Sequence, residues 1–263
     1  MAYTLVVVGG GNMGAALAHG LLAGGLDPSE LAVVEVLASR REELARQLSG
    51  VAVLDSVPPC GAAVIAVKPP DVPAAVARAV AAGATRILSI AAGVTLAALE
   101  AASGPGAVVV RAMPNTPALV GQGAAAISGG TGATEDDLAW AEQVLGSVGT
   151  VVRVPEAQLD AVTGLVGSGP AYVFLVAEAL MDAGVSAGLP RATAEALVRQ
   201  LLVGAAALLA GGEAPAALRA GVTSPGGTTA AGVRVLEERA VRAALIDAVA
   251  AATERSRELG RPS

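Results

Sequence analysis

The stretch TLVVV at residues 4 to 8 runs directly into GGGNMG and then into AALAHGLLAGG. The apolar, β-branched run predicts a strand and the periodicity beyond the glycines predicts a helix, so only a tight turn fits between them. A strand that enters a helix through glycines opens a βαβ unit, which commits the chain to a parallel sheet covered by helices. The alternation continues with strand-like LAVVEV (31–36), AAVIAV (62–67), RILSI (86–90) and AVVVR (107–111), separated by helical patterns near 40–49, 70–82 and 95–102. AAAIS (124–128) and TVVRV (150–154), around a helix near 134–147, are expected to extend the sheet. Beyond Pro155 the strands stop, and the rest is predicted as helices over 156–165, 169–184, 190–210, 226–238 and 240–259. The expected architecture is α/β: an N-terminal Rossmann-type, doubly wound, mostly parallel sheet over 1–155, then an all-α domain over 156–263. Gly260 to Ser263 are expected to fray.

Composition fits this plan and excludes several functions. Hydrophobic residues make up 54% of the chain but aromatics only 2%, so the core is expected to be small aliphatic side chains in close contact. A mean hydropathy of +0.63 raises the question of a membrane. Apolar runs such as Leu201 to Gly212 fall below the roughly 20 residues a span needs, and no transmembrane helix is expected. The uncharged first 26 residues lack the basic start of a signal peptide, which points to a cytoplasmic protein. A net charge of −6 without a basic cluster argues against nucleic acid as a partner. Cys60 is the only cysteine, read as a small residue in a turn after Pro58 and Pro59, and His19 is the only histidine, read as structural. An intrachain disulfide and a cysteine zinc site are thereby excluded; with the lone histidine read as structural, neither a histidine-dependent triad nor a metal is expected. The helical half is apolar around much of each helix, as in YVFLVAEALM and LVRQLLVGAAALLA, and is predicted to be covered by a second copy of the chain.

Gly9, Gly11 and Gly14 satisfy G-x-G-x-x-G in the context its mechanics require, after a strand and into a helix whose N-terminus can face a pyrophosphate. Glu35, at the end of the second strand, is placed to bond a ribose 2′-hydroxyl and to repel a 2′-phosphate, which favours NADH. Arg40 and Arg41 follow at the start of the next helix and can instead cradle that phosphate, so NADPH stays open. Lys68 is the one lysine among 17 basic residues and leaves the strand AAVIAV at the edge where open α/β sheets bind ligands. RAMPNTPALVG (111–121) leaves a strand at the same edge, stiffened by prolines and carrying Asn115 and Thr116.

A second candidate site is SPGGTT, residues 224 to 229, ahead of a helical pattern. Ser224 is read as the N-cap and Pro225 as the first helical residue, which puts Gly226 and Gly227 inside the helix at about 1 kcal/mol each against alanine. Bare glycines open the first-turn N–H groups to an anion, with Ser224, Thr228 and Thr229 hydroxyls around it, so the helix start is read as a carboxylate or phosphate receptor.

GGGNMG, AVKP, SIAAGVTL, RAMPNTPALVG, AVTGLVGSGPAYVF, DAGVSAGLPR and VTSPGGTTAAGVRVLEE together resemble, in order and spacing, the Δ1-pyrroline-5-carboxylate reductase family over essentially the whole chain. The resemblance implies a Rossmann domain, a helical domain that binds substrate and interleaves with a partner's to form a dimer, often a pentamer of dimers, and the last step of proline biosynthesis with NAD(P)H. It implies that Gly9, Gly11, Asn12, Met13 and Gly14 form the pyrophosphate loop. Lys68, Pro69, Ala91, Ala92, Gly93, Met113, Pro114 and Asn115 would then lie along the cofactor. Ser224, Gly226, Gly227, Thr228 and Thr229 would hold the substrate carboxylate, with the Thr229 hydroxyl near the ring nitrogen and Thr229 and Ser224 as the catalytic pair. Two positions depart from the family pattern: Val166 stands where a serine is usual, and Glu35-Val36 lacks the basic or small polar residues of clear NADP users. The rivals are a β-hydroxyacid dehydrogenase-type reductase, which needs a lysine in the helical half, and a non-enzymatic dinucleotide sensor, which needs no SPGGTT.

Overall fold

The computed structural model describes residues 2–260, so of the segment expected to fray only Gly260 falls within it. Strands β1 (Tyr3–Val8), β2 (Leu31–Val34), β3 (Ala52–Leu54), β4 (Cys60–Ile65), β5 (Arg86–Ser89), β6 (Val108–Met113), β7 (Gly123–Gly129) and β8 (Gly149–Arg153) form one sheet in the order β3-β2-β1-β4-β5-β6-β7-β8. β3 has only three residues and no fully buried side chain, and its hydrophobic pattern is too short to stand out in the sequence. The first six strands are parallel, with Leu5 opposite Leu31 and Val8 opposite Ile65. β7 runs antiparallel to β6, Ala112 facing Ile127, and β8 follows β7. The sheet is therefore mostly parallel, with two reversed strands at one edge.

Both faces are covered, as continuous apolar strands require. Leu5 and Val7 point to a core shared with α1 (Asn12–Ala23), α2 (Ala38–Gln47) and α5 (Glu135–Gly146), while Val6 and Val8 point to the opposite core under α3 (Val72–Ala81) and α4 (Leu96–Ser103). Leu17, Val64 and Leu88 on one side and Ile65, Val76 and Ile87 on the other are fully buried, and small alanines let the helices come close. Cys60 is the first residue of β4 rather than part of a turn, and burial pushes its thiol above the ordinary value.

After β8 the chain is helical: α6 (Leu159–Val162), α7 (Gly169–Ser186), α8 (Arg191–Ala210), α9 (Pro215–Gly221), α10 (Thr228–Glu238) and α11 (Val241–Leu259). α9 lies in a stretch for which no helix is predicted from sequence. The secondary structure changes at Pro155 as expected, but the compact units divide elsewhere: one runs through Ser168 and takes back the chain from Ala250, the other is Gly169–Val249. The reason is local. Leu159 is fully buried, the Glu156 carboxylate accepts from Arg111 and from the Leu96 N–H, and the Ser256 hydroxyl donates to Asp160 at 2.7 Å. Residues 156 to 168 and the last turns of α11 thus belong to the sheet unit.

Within the helical unit α7 lies against α8, where Gly184 lets the Ala194 methyl approach, and the Tyr172 hydroxyl donates to the Ala248 carbonyl. Much apolar surface stays exposed, including Phe174 (62%), Leu175 (65%), Val203 (63%) and Ile246 (68%). The helical stretches 156–186 and 191–210 are long and apolar enough to cross a bilayer by length and composition alone, a test that core helices also meet.

α5 begins with a reciprocal cap. The Thr134 side chain accepts from the Asp137 N–H, while the Asp137 carboxylate accepts from the Thr134 hydroxyl (2.6 Å), the Thr134 N–H (2.9 Å) and Arg86 (2.7 Å). The Thr134 hydroxyl foremost, with its amide and the Arg86 guanidinium, holds the Asp137 carboxyl below its ordinary value against the opposing effect of burial. A carboxyl lowered in the folded state stabilises the fold fully above its unfolded value of about 3.9 and loses that contribution as pH falls through the lower folded value. Thermal melts of the parent chain and Asp137→Asn are expected to show a constant gap near neutrality that narrows only below about pH 4; a gap that does not change with pH contradicts this.

Candidate functional site

In the sheet unit, the turn from β1 into α1 is set by backbone approach. A Cβ at Gly14 would lie 2.0 Å from the Gly9 carbonyl oxygen, so the first turn of α1 can sit over the strand end only with glycine there. At Gly11 an added Cβ would meet nothing within 4 Å. Gly11 is the N-cap of α1, with no side-chain hydrogen bond in that role, and the first intrahelical bond runs from Ala15 to its carbonyl. The N–H groups of Asn12, Met13 and Gly14 therefore end at an open cradle, which is what a pyrophosphate needs. The residues present fit a dinucleotide.

Glu35 is half-buried at the end of β2, and its carboxylate is fixed by two amides, Gly10 N–H at 3.1 Å and Leu37 N–H at 2.9 Å. It thus sits against the glycine loop, where a ribose would follow the pyrophosphate. Both arginines beside it are engaged with backbone: Arg40 donates to the Gly10 carbonyl and pairs with Glu43, and Arg41 donates to the carbonyls of Glu35 and Val36. Lys68 is exposed just past β4 and has no ion-pair partner among the described residues, leaving its ammonium available to a ligand.

Farther along the same edge stand the loops after β5 and β6. Ala91 is buried, Ala92 is exposed, and Gly93 is half-buried against Leu259. Met113 ends β6, and its Cε methyl would lie 2.5 Å from a Cβ at Gly167. Pro114 and Asn115 are buried. The Asn115 amide joins two backbone groups, donating to the Val166 carbonyl at 3.1 Å and accepting from the Ala124 N–H at 2.9 Å, so its side chain ties the loop to both. Sequence reasoning missed the pair behind these loops. Arg111, 8% exposed at its side chain, meets Glu156 at 2.8 Å, and the same carboxylate oxygen accepts from Leu96 at the start of α4. A lone arginine in the apolar strand AVVVR is the signal that an acceptor for its charge must be found in the fold.

In the helical unit the SPGGTT segment differs from its reading in sequence. α10 starts at Thr228, its N-cap is Gly227, and no side chain caps it. Ser224 is not the N-cap and Pro225 is not the first helical residue; both precede a turn closed by the Gly227 N–H on the Ser224 carbonyl at 3.0 Å. Gly226 has φ +69°, the left-handed region that glycine enters freely, and a Cβ at Gly227 would lie 2.4 Å from Ser224 Oγ. Both glycines thus have a structural reason and lie outside the helix, where the propensity cost does not apply. The consequence still favours an anion. The first intrahelical bond is from Ala231 to Gly227, so the N–H groups of Thr228, Thr229 and Ala230 precede the ladder; Ser224 is exposed and Thr229 half-buried.

Residues 156–259 match the family model described as pyrroline-5-carboxylate reductase dimerisation, and residues 4–93 match one described as NADP oxidoreductase coenzyme F420-dependent. The chain is 44% identical to a pyrroline-5-carboxylate reductase of Synechocystis, over 99% of this chain and 100% of that one. Its fold is similar to the solved pyrroline-5-carboxylate reductase of Coxiella burnetii, with a TM-score of 0.92 and 34% identity over the whole of both chains. The Plasmodium falciparum pyrroline carboxylate reductase, solved with NADP bound, matches with a TM-score of 0.83 and 29% identity over 98% of each chain.

The two glycines of the first turn are expected to fail differently. Gly14→Ala drives a methyl into a carbonyl and should lower both the melting temperature and the affinity for a nicotinamide dinucleotide, read by calorimetry and by quenching of reduced-nicotinamide fluorescence. Gly11→Ala, which meets no protein atom, should melt within about 2 °C of the parent chain yet bind the dinucleotide at least tenfold more weakly. Equal binding losses with equal melting losses would mean that the cradle at Gly11 is not the ligand's place.

Proposed function

This chain belongs to the pyrroline-5-carboxylate reductase family, and from that premise we infer that it reduces the C=N bond of Δ1-pyrroline-5-carboxylate to give L-proline. When bound, the reduced nicotinamide supplies the hydride that the imine carbon accepts. The chain's own residues bind and orient. The first-turn amides of Asn12, Met13 and Gly14 hold the pyrophosphate, Glu35 takes the ribose, and Lys68, Pro69, Ala91, Ala92, Gly93, Met113 and Pro114 flank the rest. Ser224, Gly226, Gly227, Thr228 and Thr229 receive the substrate carboxylate at the start of α10. The Thr229 hydroxyl meets the ring nitrogen, to which a neutral group can donate or from which it can accept. The iminium's positive charge disappears on reduction, so no growing oxyanion needs stabilising and the residues act chiefly by orientation. The observation that carries this reading is the helix start that no side chain caps, fronted by a glycine turn with Ser224 Oγ beside Gly227.

For the cofactor we favour NADH. A carboxylate already fixed by Gly10 and Leu37 amides repels a 2′-phosphate, and the two nearby arginines are engaged with backbone carbonyls. The exposed faces of α7, α8 and α11 are read as the contact with a second copy rather than with lipid. The match of this half of the chain to a dimerisation model supports that reading. Further assembly as a pentamer of dimers, in the cytoplasm, accords with it.

Mixing protein, pyrroline-5-carboxylate and either cofactor should consume reduced nicotinamide, with kcat/KM higher for NADH; no consumption with either one removes the assignment, and a preference for NADPH reverses the cofactor reading. Thr229→Val should lower kcat roughly fivefold to tenfold, the worth of about one neutral hydrogen bond, while leaving cofactor affinity in place. Sedimentation in detergent-free buffer at micromolar concentration should give a dimer or a larger species, whereas a monomer, or a protein soluble only in detergent, refutes the reading of the apolar faces.

A further inference from the structure

Residues 163 to 167, TGLVG, form a π-helical turn closed by the Ser168 N–H on the Thr163 carbonyl at 2.9 Å. Such turns leave the regular i to i+4 ladder incomplete. The carbonyl of Val166 would normally receive the N–H four residues on, but that residue is Pro170, which has none. A side chain from far away in sequence supplies the donor: Asn115 Nδ2 reaches the Val166 carbonyl at 3.1 Å, while its Oδ1 accepts the Ala124 N–H. Asn115 is only 8% exposed, so neither bond is readily replaced by water. The contact is reinforced at Gly167, where a side chain would strike the Met113 methyl.

We propose that Asn115 is a positioning residue of the reductase: it replaces the donor that Pro170 lacks and thereby locks the loop of Met113 and Pro114 to the π turn at 163–167. The proposal rests on the reading of that loop as one wall of the nicotinamide site. It also changes the role expected for Asn115, from a contact with the cofactor to a brace behind it. It explains, too, why valine is tolerated where the family usually has serine, since what is used at position 166 is the main-chain carbonyl. A small shift of a wall that orients the reacting groups lowers turnover far more than it weakens binding of the dinucleotide's distant phosphates and ribose.

The test is a cycle of Asn115→Ala, Pro170→Ala and the double variant, because Pro170→Ala restores an N–H four residues beyond Val166. Asn115→Ala is expected to lower kcat at least tenfold, with the dissociation constant for reduced nicotinamide dinucleotide changed by no more than about threefold. Without any cofactor, amide hydrogen exchange over 163–168 should speed up. The double variant should recover both exchange protection and most of the lost kcat. Asn115→Asp, equal in volume and still able to accept from Ala124, should show the same loss if the alanine variant does not fold. A kcat within twofold of the parent's overturns the proposal, as does a cofactor affinity that falls in step with kcat, or a double variant with no recovery while Pro170→Ala alone stays active. A parent enzyme that does not reduce pyrroline-5-carboxylate at all would instead sink the functional reading, and the exchange measurement would still judge the brace.

Discussion

The approach of α1 to the end of β1 governs what the sheet unit can do. With a hydrogen at position 14, the first turn of the helix rests on the Gly9 carbonyl and its free N–H groups open at the carboxyl edge of the sheet. Any side chain there would tilt the helix away, and the positive end of its dipole would no longer meet a ligand lying along that edge. The loops after β2, β4, β5 and β6 matter because they are arrayed beside this one fixed end. Glu35 gains its place by accepting the N–H of the adjacent Gly10, so its carboxylate is held by the same glycine turn.

The helical unit repeats the device with different parts. At α10 the helix end is exposed because a left-handed Gly226 turns the chain sharply and because Gly227, rather than a serine or threonine, occupies the N-cap. A side-chain cap would satisfy one of the N–H groups and close the opening that the proposed function uses. The absence of an ordinary cap therefore carries more meaning than the composition of the segment, and the hydroxyls of Ser224 and Thr229 stand nearby without serving the helix itself.

Most of the sheet was legible because continuous apolar strands alternate with amphipathic segments, a pattern with few topological solutions. What escaped is physically specific. β3 is too short for its periodicity to be seen. The reversal of β7 was in fact encoded: only residues 114 to 122 separate it from β6, too few for the crossover that a parallel neighbour requires. SPGGTT was legible as the entry to a helix but its start was misplaced by local rules, since Ser-Pro is a strong helix-start signal and only the three-dimensional turn reveals that the helix waits for Thr228. The compact-unit boundary at Ser168 was hidden because it depends on Glu156, Leu159 and Asp160 finding partners distant in sequence.

Partners of that kind account for the remaining gap between motif and mechanism. Arg111 and Asn115 lie in a recognisable motif and Glu156 lies outside one, yet each bonds a backbone or side-chain group dozens of positions away. Motif membership alone enrols Asn115 as a ligand contact. Burial marks Arg111 and Asn115 out, since a polar side chain withdrawn from solvent and hydrogen-bonded to protein fixes geometry for others. In a reaction whose transition state loses charge, fixed geometry is most of what a protein can contribute. The residues that hold the loops in register therefore belong to the chemistry as much as those that meet the substrate.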